Sequence, residues 1–140
     1  MLFRSARVYN LTERSAEESN NVVTGNFPVC SRSSLILFDS GATHSFISAR
    51  FMNEHNIPSS LLEEIIYVET PLESRSAKLI CNSCPIEIGG WKFMADLIVL
   101  EMQDFDVILG MDWLHQNKAT IDCHEKSKLQ PWSCSLYVSH

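Results

Sequence analysis

The feature that most limits what this chain can become is the run Leu35-Ile36-Leu37-Phe38, which ends without transition on Asp39-Ser40-Gly41. An unbroken apolar run bounded by turn residues reads as a short strand with both faces buried. Gly41 then permits a turn and a close backbone approach. The chain therefore leaves its core on an acidic residue, held at the end of a fixed element.

The surrounding pattern is built from similar short pieces. Residues 22–29 read as an extended segment, and residues 65–70 and 77–81 as strands joined by the polar segment 71–76. Ile86-Glu87-Ile88 and Trp91-Lys92-Phe93 alternate around Gly89-Gly90, a tight-hairpin signature. Residues 95–100 and 105–110 are further apolar strands, separated by a turn over 102–104, and a last strand covers 119–123. Ser45 is predicted to cap a short helix from about Phe46 to Glu54, with Phe46, Ile47, Phe51 and Met52 on its inner face. A second short helix is predicted from Asp112 to about Gln116. The sum is a mainly all-β chain with one or two short helices. One echo is visible: a buried strand, a glycine turn and a short helix occur at Gly41 and again at Gly110. Residues 1–21 are polar and read as an N-terminal arm or linker, 22–125 as the folded domain, and 126–140 as a poorly patterned tail.

Bulk properties exclude several classes. With 140 residues the chain can bury a single core without staples. The net charge is −6 and the eleven basic residues are scattered, which argues against direct nucleic-acid contact. No apolar run approaches the roughly 20 residues of a membrane span, and Met1-Leu2-Phe3-Arg4-Ser5-Ala6-Arg7 turns polar too soon for a signal peptide. Five cysteines, at 30, 81, 84, 123 and 134, are an odd set. They read as buried thiols in a reducing, intracellular, cytoplasmic setting. Cys81 and Cys84 have a metal-like spacing but lack the second pair a structural zinc needs, so no metal is expected.

The chemistry concentrates on Asp39. A carboxylate fixed at a strand end can activate water, and two such carboxylates side by side share one proton and serve as base and acid together. Asp-Ser-Gly alone is common, and its ordinary reading is a turn at a strand end. His44 and Ser45 are adjacent and lack an orienting carboxylate, which reads as loop packing and a helix cap rather than a nucleophile and its base. Asp112 reads as a helix cap, and Trp91 and Trp113 as packing residues.

Context decides between these readings. The run from Leu35 to Ser48 resembles the active-site segment of retropepsin-type aspartic proteases, and within them those of plant gypsy-type LTR retrotransposon polyproteins. Phe105-Asp106-Val107-Ile108-Leu109-Gly110-Met111-Asp112-Trp113-Leu114 resembles the same family's downstream block. The likeness runs from about Val22 to Cys123. It implies a closed β-barrel acid-protease fold, a homodimer with a second copy of the chain, no cofactor, and hydrolysis of a polypeptide substrate, the element's own polyprotein. An active element would place the protein in a virus-like particle. The resemblance makes Asp39 the catalytic carboxylate and gives Ser40 a bracing role across the two-fold. Gly41 and Ala42 would shape the substrate floor, and Leu109 and Gly110 would support the catalytic loop. It also places a mobile flap over about Val68 to Leu79. This stretch has no glycine, and Glu73-Ser74-Arg75-Ser76 stands at the tip position. The alternative is a protease-like fold kept for dimerisation or peptide binding.

Overall fold

The computed structural model describes residues 4–125 and 132–138. The chain is mostly β, with strands β1 (Arg4–Arg7), β2 (Val22–Val29), β3 (Arg32–Asp39), β4 (Phe46–Ser48) and β5 (Ser60–Glu69) in its first half. The second half holds β6 (Ser74–Ile88), β7 (Trp91–Leu100), β8 (Val107–Leu109), β9 (Ala119–Glu125) and β10 (Trp132–Val138). Three short helices intervene: α1 (Glu13–Glu17), α2 (Ala49–Glu54) and α3 (Met111–Gln116).

Eight strands form one sheet in the order β1-β5-β6-β2-β3-β8-β4-β7, and a further β6–β7 pairing closes it into a ring. β3, β4 and β8 lie side by side in that ring, with β3 and β8 parallel, Phe38 opposite Leu109. Their residues alternate between two apolar clusters. Ile36, Phe38, Ile47, Val107 and Leu109 enter one cluster, while Leu37, Phe46 and Ile108 enter the other. Burial on both faces is why these strands read as continuous apolar runs. Phe38 sits between Phe27, 5.7 Å away edge-on, and Trp113 at 5.8 Å.

The arm expected before Val22 is folded. β1 pairs in parallel with β5, Arg4 opposite Ile66 through Arg7 opposite Glu69. Ala6 and Val8 are buried in the second cluster, while Ser5 and Arg7 face out. α1 follows, its Thr12 and Ser15 forming a reciprocal capping box. Two small inward residues in a polar stretch give too weak an alternation to announce a strand.

Other differences have local causes. Residues 46–48 are extended, because Ile47 and Phe46 pair with β8 and with β7, and the helix begins at Ala49 with Ser48 as its cap. β2 and β3 meet at Cys30-Ser31, both at positive φ (50° and 63°), a turn made without glycine. β6 joins two expected strands into one through an irregularity between Cys81 and Cys84. Ser83 there has φ 52° and donates its N–H to Asp96 Oδ1 at 2.8 Å. The inserted residue shifts the alternation, so that both cysteines, three apart, are buried in the first cluster.

The β5–β6 hairpin turns at Thr70–Glu73 rather than at residues 73–76. Thr70 Oγ1 donates to the Glu73 carbonyl at 2.6 Å, and Leu72 at the tip is 90% exposed. The cysteines are not all thiols. Cys123 and Cys134 form a disulfide between directly opposed residues of β9 and β10, leaving Cys30, Cys81 and Cys84 free. β10 also gives structure to part of the expected tail, whose residues 126–131 and 139–140 lie outside the described ones, as do residues 1–3 of the arm. Trp113 is buried as expected, whereas Trp91 is 57% exposed. Among the described residues no helix is long and apolar enough to cross a membrane.

Candidate active site

β3 delivers Asp39 to the site. Strand alternation puts Asp39 on the same face as Leu37, toward the second cluster, and its side chain has no exposed surface. The loop then folds back on the carboxylate. The Gly41 N–H donates to Asp39 Oδ1 at 2.8 Å, and the Ala42 N–H donates to the Asp39 carbonyl at 3.2 Å. The Asn10 side-chain amide donates to the other carboxylate oxygen, Oδ2, at 3.3 Å. Burial pushes the Asp39 carboxyl above the ordinary carboxylate range, and the Gly41 and Asn10 donors hold it back. Burial is the largest of the three influences.

Asn21, immediately before β2, anchors the loop. Its carbonyl accepts from both the Ser40 N–H and the Ser40 hydroxyl, each at 3.1 Å. Ser19 Oγ in turn hydrogen-bonds the Asn21 side chain. A Cβ on Gly41 would lie 2.6 Å from Asn21 Nδ2 and 3.2 Å from Asp39 Oδ1, so a larger residue would push both groups away. Ala42 is fully buried and faces the second cluster rather than an open floor.

The turn at Gly110 packs under this loop. A Cβ on Gly110 would meet the backbone carbonyls of His44 and of Ala42, the latter at 2.7 Å, so the requirement here is space rather than a left-handed φ. Met111 donates its N–H to the Ala42 carbonyl at 2.8 Å. Ser45 links both sides: its hydroxyl donates to Asp112 Oδ1 at 2.6 Å and accepts from the Gly110 N–H at 3.0 Å. Gly110, with no side-chain cap bond, is the N-cap of α3; Asp112 lies in the first turn and binds Ser45. Leu109 is wholly buried beneath. The structure thus brings Asp39, Ser40, Gly41, Ala42, Leu109 and Gly110 into one cluster.

Several participants carry no signal in the sequence. Asn10, Asn21 and Thr43 lie in polar stretches and become contacts only through the fold. Thr43 donates its N–H to the Arg7 carbonyl at 3.0 Å, and its Oγ1 accepts from the Arg7 N–H at 2.9 Å. The Thr43 hydroxyl also lies 2.8 Å from His44 Nδ1, which makes His44 a loop residue and not a base facing Asp39. Asp106 Oδ2 accepts from the Leu35 N–H at 2.8 Å, which makes this acid a brace for the start of the apolar run. Among the described residues no group of three or more His, Cys, Asp and Glu is arranged to hold a metal ion.

Residues 2–132 match the sequence model of the retroviral aspartyl protease family. No curated protein sequence matches the chain. Among solved structures, the retroviral protease-like domain of Ddi1 from Leishmania major superposes with a TM-score of 0.53 at 17% identity, covering 73% of this chain and 78% of that one. The EIAV protease complexed with the inhibitor HBY-793 gives a TM-score of 0.49 at 14% identity, over 68% and 86% of the two chains.

Proposed function

The chain belongs to the retroviral aspartyl protease family, and from that premise we propose that it is an aspartic endopeptidase in which two copies each contribute Asp39. The observation that carries this reading is the Asp39 carboxyl itself: one acid, held at the end of a buried strand by the Gly41 N–H, in the loop the internal repeat would duplicate. The other half of the repeat has Leu109-Gly110 in the equivalent place. One chain therefore offers one acid, and a symmetric pair offers two.

In the proposed reaction, water lies between the two Asp39 carboxyls, which share a proton. The ionised partner takes a proton from the water as its oxygen attacks the scissile carbonyl carbon. The protonated partner donates to the carbonyl oxygen, giving a neutral tetrahedral diol. Collapse returns a proton to the departing amine and leaves a carboxylic acid product. No acyl-enzyme forms and no cofactor is required. Ser40, Gly41 and Gly110 keep the carboxyl in place, and Leu109 supports the loop from below. The site for a polypeptide substrate would lie beside the β5–β6 hairpin, whose exposed Leu72 suits a flap tip. We assign the parent polyprotein to a plant gypsy-type LTR retrotransposon and the protein to the cytoplasm or a virus-like particle, on the strength of the two sequence blocks alone.

The test is hydrolysis of an unfolded protein at mildly acidic pH. Wild-type chain should cleave it, and Asp39→Asn should not; equal turnover in the two would overturn the assignment. A second reading is a protease-like module for dimerisation or peptide binding. It is favoured by one observation, the complete burial of Asp39 in the single chain.

A further inference from the structure

A carboxyl that activates water cannot do so while no water or substrate reaches it, and Asp39 has no exposed surface. What covers it includes the segment that follows β1. Asn10 caps Asp39 Oδ2, the oxygen not engaged by the Gly41 N–H. Three residues earlier, Arg7 is clamped to Thr43 of the catalytic loop by reciprocal bonds of 2.9 and 3.0 Å. The Val8 N–H donates to the Glu69 carbonyl at 3.0 Å, tying the segment to the last residue of β5 before the hairpin tip. Beyond Asn10 the segment is fastened again, the Glu13 N–H donating to Asp104 Oδ2 at 2.8 Å and Ala16 entering the second cluster.

We propose that residues 4–11 are an intramolecular strap that closes the Asp39 site, so that the folded single chain is a resting form. The inference rests on Asp39 being the catalytic carboxyl. The strap is suited to release. Among the described residues β1 is an end strand of the sheet, paired on one side alone and over four residues. The strap's fully buried residues are the small Ala6 and Val8; Leu11 packs on the second cluster only partly buried, and Tyr9 is 49% exposed. Its bonds to the catalytic loop and hairpin beyond the β1–β5 ladder are the Asn10 side-chain amide, the Arg7 and Val8 N–H groups and the Arg7 carbonyl, all of which water or a bound peptide backbone can replace. The strap binds both the catalytic loop and the hairpin expected to act as flap, so its departure frees both together.

The experiment compares the full chain with Arg7→Pro/Asn10→Ala and with a chain lacking residues 1–11. The proline removes the N–H bound to Thr43 and the alanine removes the cap on Oδ2, while Ala6 and Val8 stay in place. Each protein is treated with a water-soluble carbodiimide and glycine ethyl ester. Modified carboxyls are then mapped by mass spectrometry, with exposed Glu64 as internal reference, and hydrolysis is measured in parallel. Asp39 should resist modification in the full chain and become reactive in both variants, with hydrolysis rising by the same factor. Asp39 labelled as readily as Glu64 in the full chain would overturn the strap, as would rapid amide exchange at Arg7, Val8 and Thr43 in the full chain. So would an unreactive Asp39 in the double variant whose Val8 amide has become fast-exchanging. If the deletion does not fold, the double substitution carries the test. Reactive Asp39 in a folded variant that still hydrolyses nothing would leave the strap standing and reject the protease reading.

Discussion

An ionised carboxyl without accessible surface is costly, and Asp39 meets that cost with two donors, Gly41 N–H on one oxygen and the Asn10 amide on the other. Burial still dominates, so its folded-state pKa lies above the ordinary 3.8. The folded chain then holds the proton more tightly than the unfolded one. Stability from this group is greatest below 3.8 and is lost as pH rises from there through the raised folded value. Asp39→Asn keeps the shape and an acceptor for Gly41 but cannot ionise. It should lower hydrolysis on the order of a hundredfold or more and melt at a higher temperature than wild type near neutral pH, the gap closing below the ordinary carboxylate value. A melting difference independent of pH would show that Asp39 is not strained toward its neutral form. Ser45 allows a second check. Its hydroxyl serves Asp112 and the Gly110 N–H at once, so Ser45→Ala leaves the buried Gly110 N–H unmatched and removes one bond to Asp112, which is exposed and keeps the Trp113 N–H. A loss of about 1–3 kcal/mol is expected in denaturant titration, with turnover falling because the two glycine turns lose their link. Asp39 was legible because an apolar run stops on it. Asn10 and Asn21 were not, since an asparagine in a polar stretch shows no period and its partner here lies 29 residues away for Asn10.

At the scale of elements, the strands that are buried on both faces announced themselves. β3 and β8 read correctly as apolar runs, and the Gly89-Gly90 turn, with both glycines at positive φ, marked the β6–β7 hairpin. What failed was pairing that depends on distant partners. Phe46-Ile47-Ser48 carries a helix-like pattern, yet β7 and β8 on either side claim its backbone as a strand. The turn at Cys30-Ser31 lacks the glycine that would signal it, and nothing in the spacing of Cys81 and Cys84 announced the bulge that they flank. Cys123 and Cys134 are the same kind of case, eleven residues apart and opposed only once β9 and β10 pair. Closing so short a loop stabilises by about 3 kcal/mol at most in the chain-entropy view. Reduction, or Cys134→Ser, should therefore speed amide exchange across β9 and β10 while leaving β3 and β8 protected. Uniform loss of protection over the whole sheet would show that the hairpin is part of one cooperative unit with the ring.

For the whole molecule, the decisive quantity is how many acids meet. The internal repeat sets β3 and β8 side by side with their turns interlocked, but Leu109 and Gly110 fill the position where a second carboxyl would be needed. The Gly110 turn cannot supply that acid, because it is packed against the Ala42 and His44 carbonyls with no room for a side chain. In the proposed dimer a two-fold axis would meet this need with one operation, placing the two Asp39 loops face to face once the segment over them has moved. Activity should then depend on association. Specific activity should rise with protein concentration and level off as the dimer saturates, and the concentration at half-maximum should match the dimer dissociation constant from sedimentation. Excess Asp39→Asn chains should suppress wild-type activity by forming heterodimers with a single ionisable carboxyl. In the Arg7→Pro/Asn10→Ala background the plateau should be reached at lower concentration, since the loop is no longer covered before the partner arrives. Full specific activity from a chain that sediments as a monomer at every concentration would refute the shared site.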